Sequence, residues 1–243
     1  MKKIKTIEEG VASCFAAGEY GEVPQWTFLP RKEGEMTAHI VKDTKIYPIF
    51  DWRCEPQPLA VANRARNGIG ALCSLKTSGA IDKTFGLERQ LYKELDTAEW
   101  MLGSQIKHLT AYVNQNATNV IVRMKNETVA ILELGAALPE GSQEQTRHTV
   151  WGRQGMVSTR VVSQKLKYHS VYLFTDSPVP ETFNDTTGYL YGLNEADATT
   201  TVCIGKMLLG RYNLDSWIEQ DEKLRAYVKA VYRSSETGER ITF

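Results

Sequence analysis

LERQLYKELDTAEWMLGSQIKHLTAYVNQNATNVIVRMKNETVAILEL (87–134) decides how the chain folds. In its first third, Leu87, Leu91, Leu95, Ala98, Trp100 and Leu102 approximate one stripe at helical spacing. Gly103 stands where such a helix would stop. Three runs of strand character follow: IKHLTAYV (106–113), NVIVRM (119–124) and TVAILEL (128–134). Lys125, Asn126 and Glu127 separate the last two runs, so these two read as a hairpin.

Toward the C-terminus the same grammar continues. Residues 135–147 form a polar connection, and strands are expected at HTVWG (148–152), MVSTRVV (156–162) and YHSVYLF (168–174). GlyArgGlnGly (152–155) links the first two, with glycine where a hairpin needs positive φ. SPVPETFND (177–185) reads as loop. A helix is predicted over Glu195–Leu209, packing through Ala198, Val202, Met207 and Leu208. A last helix runs from about Asp215 to Tyr232, with Asp215 as its N-cap and Leu224, Ala226, Tyr227, Val228 and Val231 on its core face.

Toward the N-terminus, Ile7, Val11, Cys14 and Phe15 mark a helix over 7–17 that Gly18 would end. GEVPQWTFL (21–29) reads as a strand, with Pro24 in its first turn or at a sheet edge. Residues 30–85 are the least legible. TAHIV (37–41) and KIYPIF (45–50) are extended, CEPQPLAVANRARNG (54–68) is poorly periodic with early prolines, and GIGALCSL (68–75) fits a strand or a turn onto a sheet. About eight mostly hairpin-linked strands with helices near both ends imply an α+β fold: a large, mostly antiparallel (mixed) sheet with helices packed on one face.

The bulk composition is that of an ordinary globular protein, with 42 % apolar and 24 % charged residues among 243. Basic and acidic residues balance at 29 each, which gives no nucleic-acid footprint; KLKYH (165–169) is too short to supply one. No apolar run is long enough to span a membrane. Glutamates follow the basic start MKKIKTIEEG where a signal peptide would be apolar. Cys14, Cys54, Cys73 and Cys203 are widely spread with no CxxC, so each is expected as a buried thiol in a reducing cytoplasm.

Several segments, in order, resemble the C-terminal domain of the glucose-fructose oxidoreductase, inositol dehydrogenase and MocA family. AAGEYGEVPQWTF (16–28) is similar to the family's Gly-Glu-Val entry into its second domain. LDTAEWMLGSQIKHLTAYV (95–113) resembles its helix ending in Trp-Leu-Leu-Gly and the strand after it. NETVAILEL (126–134), WGRQGMVS (151–158) and AVYRSSETGERITF (230–243) resemble its hairpins and closing segment. The resemblance implies residues 1–20 as the last helix of a dinucleotide domain and 21–243 as a single α+β domain. It also implies a sheet whose open face serves dimerisation.

The family's nucleotide-binding half opens with a glycine-rich turn, and no GxGxxG occurs here. GIGAL (68–72) does not open a helix with the third glycine, so no cofactor-binding residue is assigned. By position, Asp96 matches the aspartate before the family's tryptophan. Lys93 then stands where the acid–base histidine belongs, and Arg89 where an earlier aspartate belongs. Lys93, Arg89 and Asp96 are therefore the catalytic candidates by position alone. Lysine serves as a base only when its surroundings lower its proton affinity; the bland alternative is a solvated helix face.

Trp151, Arg153 and Tyr172 are the substrate-binding candidates. Together with Trp26, Trp52, Tyr168, Arg147 and Arg160 they offer ring faces and guanidinium forks suited to a sugar, or else they fill a core or interface. An exposed face with Val120, Val122, Trp151 or Tyr172 would need a partner. None of His39, His108, His148 and His169 forms an HxH or HxxxH pair; a cross-sheet metal site of His108, His148 and Glu133 is geometrically possible, but surface or hydrogen-bonded histidine is the ordinary reading and no metal is assigned. The expectation is a noncatalytic or accessory domain, inactive alone, that dimerises and binds a sugar or polyol. The alternative is an oxidoreductase subunit whose NAD or NADP domain is supplied by a separate chain.

Overall fold

The computed structural model describes residues 4–142, 144–159, 170–174, 181–184 and 192–243. The chain divides into two compact units. The first comprises Met1–Pro56 and Thr186–Lys223, the second Gln57–Asp185 and Leu224–Phe243.

In the first unit, α1 (Ile7–Ala17) begins at Thr6, whose hydroxyl accepts from the Glu9 amide. It buries Val11 and Phe15 and packs on α4 (Glu195–Leu208). Gly10 lies where a Cβ would meet Thr201, so the two helices approach closely. Strands β1 (Thr27–Leu29), β2 (His39–Lys42) and β3 (Lys45–Pro48) form an antiparallel sheet. The expected strand over 21–29 is thus confined to its last three residues. A 3-10 turn, η1 (Asp51–Cys54), follows β3 and packs on α4. Phe50, Trp52 and Trp217 make its aromatic core.

The second unit is built on a mixed sheet of nine strands among the described residues. The remaining strands are β4 (Leu72–Asp82), β5 (Ile106–Val113), β6 (Ala117–Met124), β7 (Val129–Leu138), β8 (Gln145–Gly152), β9 (Gly155–Ser158), β10 (Ser170–Phe174), β11 (Glu181–Asn184) and β12 (Ile241–Thr242). Their spatial order is β11-β10-β9-β8-β4-β7-β6-β5-β12. Every neighbouring pair is antiparallel except β4 and β7. This is the expected α+β architecture. The helix α3 (Leu87–Leu102) packs on β4, β6 and β7.

Some expectations are corrected. Residues 54–68 hold a helix, α2 (Pro56–Gly68), because its prolines sit in the first turn, where no intrahelical donor is lost. Residues 181–184 of the expected loop are β11. The last helix, α5, starts at Leu214 and runs to Thr237; Asn213, not Asp215, accepts from the Ser216 amide. Ala226 is exposed, and Ala230 is buried instead. Cys73 is exposed, because it falls at the irregular start of β4. Val120 and Val122 lie buried on the helix-covered face, and the exposed residues of β6 are their neighbours in the alternation. Arg160, Tyr168, His169 and the KLKYH segment lie outside the described residues.

The β8–β9 hairpin turn is pinned by backbone bonds from Arg153 to Ala71 and from Gln154 to Ile69. A Cβ on Gly152 would collide with the Ile69 carbonyl. Gly152→Ala is expected to cost about 1–3 kcal/mol in a urea melt, because backbone must move. Gly205→Ala is the control: a Cβ there meets nothing within 4 Å in mid-helix, and stability should hold or rise.

Candidate functional site

Helix α3 supplies most of the chemistry in the sheet unit. Its C-terminus is closed by Gly103 in the left-handed region at φ 61°. Leu87, Leu91, Leu95, Ala98 and Leu102 are buried as expected, but so are Gln90, Glu94, Asp96, Thr97 and Glu99. The helix is therefore surrounded on nearly all sides, and its acids need partners. Glu99 accepts from the Ile106 amide at 2.8 Å and from the Tyr227 hydroxyl at 3.0 Å. Glu94 is fully buried, and its Oε2 lies 2.8 Å from Nε2 of His148 on β8.

Beside this pair stand polar groups with no hydrogen-bond partner among the described residues. They are Oε1 of Glu94, both amide atoms of Gln90 and the hydroxyl of Thr77. Thr77 is directly opposite His148 in the β4–β8 register, and Gly79 is opposite Thr146. A Cβ at Gly79 would run into the Gln90 amide, so that amide lies on the sheet surface there. Gln90 and Glu94 are one helical turn apart. Together these residues form one buried polar cluster of donors and acceptors between α3 and the β4–β8 pair. Such groups can hold a hydroxylated molecule or ordered water.

The more accessible margin of α3 carries the positional candidates. Lys93 Nζ lies 2.9 Å from Oε1 of Glu144, with its side chain only 13 % exposed. Thr146 also donates to that oxygen, at 2.6 Å. Arg89 stacks its guanidinium 5.3 Å from the Phe85 ring centre and acts electrostatically on Glu144. Burial pushes the Glu144 carboxyl up, but Lys93, the Thr146 hydroxyl and Arg89 outweigh it and hold it below its ordinary value. Lys93 and Arg89 thus meet around one carboxylate, while Asp96 is fully buried.

The substrate candidates stand elsewhere. Trp151 alternates with His148 along β8 and so lies on the sheet face away from α3. Tyr172 shares that face, offset from Trp151 by two residues through β9, and is buried. Arg153 is exposed in the hairpin turn. The structure therefore separates Lys93 from Trp151 and Tyr172 by the thickness of the sheet. Trp52 is core of the first unit. The trio His108, His148 and Glu133 is likewise divided: His148 faces α3, whereas Glu133 and His108 share the opposite face, Glu133 bonded to Lys76 and Ser78. No cluster of three metal-ligating side chains occurs among the described residues. Gln90 and Glu94 were missed by the sequence reading, although they fall on the buried stripe beside Leu87, Leu91 and Leu95. Polar residues at stripe positions were the available signal.

No family model and no curated protein matches the chain. Solved structures match its fold. An oxidoreductase from Agrobacterium radiobacter, in complex with NAD+, L-tartaric acid and magnesium, shares 15 % identity at a TM-score of 0.61, over 98 % of this chain and 70 % of that one. An NAD binding oxidoreductase from Klebsiella pneumoniae shares 12 % at 0.62, over 79 % and 64 %. Levoglucosan dehydrogenase, in complex with NADH and levoglucosan, shares 11 % at 0.61, over 79 % and 65 %. The chain thus has the fold of these oxidoreductases and spans less than two thirds of the last two. The strand-to-helix turn into α3 (83–86) has one glycine, and there Asp82 accepts from the Thr84 amide and hydroxyl, so this turn is not the glycine-rich cradle of a dinucleotide fold.

Two substitutions separate the core of this site from its margin. His148→Ala leaves a buried Glu94 oxygen without its hydrogen-bond partner and should cost about 1–3 kcal/mol in chemical denaturation. Lys93→Met should cost less than about 1 kcal/mol at neutral pH. Because Glu144 is depressed in the folded state, its contribution is present above the unfolded carboxylate value and lost as pH falls through the folded one. The wild-type advantage over Lys93→Met should shrink in acid melts accordingly.

Proposed function

We propose that the chain acts as an accessory, noncatalytic relative of the substrate domain of these oxidoreductases, binding a small polyhydroxylated ligand and pairing with a second copy of itself. One observation carries this reading. Where the resemblance calls for an acid–base histidine, Lys93 is held in an ion pair with Glu144. An ammonium bound to a carboxylate is poorly set to take a proton from an alcohol. Beside it, Glu94, Gln90 and Thr77 keep unanswered donors and acceptors of the kind that bind hydroxyls. The solved relatives bound to L-tartaric acid or levoglucosan suggest the ligand class.

Self-association is supported by the sheet face away from α3. Tyr112, Ile121, Ile131 and Trp151 are exposed there, by 69, 56, 37 and 37 %. Ile121 and Ile131 are direct cross-strand neighbours. A patch of this kind on an open sheet face suits an isologous dimer.

A second reading keeps the oxidoreductase role: a subunit acting on a sugar or polyol, with NAD or NADP bound by a domain outside the residues here. Its support is the greater length of the solved relatives. Under that reading, residues 1–20 would stand for the last helix of the dinucleotide domain.

Calorimetric titration with NADH, L-tartaric acid, levoglucosan and L-sorbose distinguishes the readings. The accessory reading expects no heat with NADH and binding of at least one polyhydroxy compound, lost in Gln90→Leu. Tight NADH binding would overturn it, and no binding by any polyhydroxy compound would remove the ligand arm. Ile121→Arg should convert the dimer to a monomer in sedimentation; an unchanged mass would reject the interface.

A further inference from the structure

Two of the four cysteines meet in the first unit. Cys54 ends η1 and Cys203 lies in α4. Cys54 is 5 % and Cys203 0 % exposed. The two elements pack on each other, with Thr200 bonded to Asp51 one turn before Cys203 and Lys206 reaching Cys54 one turn after it, so Cys203 faces η1 between them. The Cys54 sulfur also lies 3.4 Å from the Tyr212 hydroxyl and 3.8 Å from Nζ of Lys206. Lys206 is one turn beyond Cys203 on α4, so one helix brings both the second thiol and a cation to Cys54. Asp51, which accepts from Thr200 at 2.8 Å, supplies an opposing negative charge. Cys73 is exposed and Cys14 half-buried, and both stand outside this group.

We propose that Cys54 and Cys203 are an oxidation site: a dithiol that closes to a reversible disulfide when a hydroperoxide reaches it, tying η1 to α4. The two thiols are chemically unequal, as such a reaction needs. The neighbouring Cys203 thiol, helped by Tyr212 and Lys206, brings Cys54 down to about 7 against burial and Asp51. Burial pushes the Cys203 thiol well up. Cys54 is therefore the nucleophile and Cys203 the resolving partner.

The chemistry balances in two steps. The Cys54 thiolate attacks one peroxide oxygen; the S–O bond forms, the O–O bond breaks, and the departing oxygen leaves as alcohol or water after taking a proton. Cys203 then attacks the Cys54 sulfur; the S–S bond forms, the S–O bond breaks, and water leaves with the Cys203 proton. The two sulfurs are oxidised together by two electrons, and the hydroperoxide is reduced.

The folded chain should be exposed to hydrogen peroxide, quenched with an alkylating agent and mapped by non-reducing peptide mass spectrometry. The expected result is a Cys54–Cys203 crosslinked peptide that dithiothreitol removes, with a raised unfolding temperature for the oxidised form. Lys206→Met should slow its formation. Cys203→Ser should abolish it and leave a Cys54 sulfenic acid that dimedone traps; Cys203→Ala serves if the serine variant does not fold. Oxidation of Cys73 while Cys54 and Cys203 keep free thiols would overturn the proposal. So would Cys54 passing to sulfinic acid in the wild-type chain without a crosslink.

Discussion

A helix enclosed on nearly every side cannot carry carboxylates unless each is answered, and the sheet unit is arranged around that constraint. Glu99 ties the end of α3 to the first amide of β5 and to Tyr227 of α5. Glu94 ties the middle of α3 to β8 through His148. Burial, with Glu99 beside it, holds the Tyr227 phenol well above its ordinary value, so it stays a donor. These bonds fix which strands lie beneath the helix. The parallel pairing of β4 with β7 then follows, since α3, β5 and β6 must all be passed before the chain returns beside β4.

The same low-dielectric interior strengthens satisfied contacts and penalises unsatisfied ones. The unanswered atoms of Gln90, Glu94 and Thr77 therefore stand out against an otherwise well-paired helix. Across the sheet the logic reverses. Lys76, Glu133 and Ser78 form a solvated network among the exposed apolar side chains. Exposed pairs of this kind contribute little to stability.

Much of this was legible. The α3 stripe, apart from the half-buried Trp100, and the β5–β7 runs are legible because their apolar periods are long and locally reinforced. Helix α2 was not, because its buried face is Pro58, Ala60, Val61, Ala62 and Ala65. Small residues and early prolines carry almost no moment, and only packing shows the helix. Strand β11 was hidden by Pro178 and Pro180 immediately before it. At the site, Lys93 could be located by position, but its ion pair with Glu144 spans a separation in sequence that no local pattern reports. The meeting of Cys54 with Cys203 is hidden for the same reason.

Both units are assembled from separated stretches of chain, and this has a consequence during synthesis. The first needs residues up to Lys223, and the second needs the segment from Leu224 onward, where β12 takes its place beside β5. Neither can close before those stretches have emerged from the ribosome. Until they emerge, β5 lacks β12 beside it and α1 lacks α4 to lie against. The nascent chain is thus exposed to aggregation up to that point, and holdase chaperones should recognise it there more readily than they recognise the folded units.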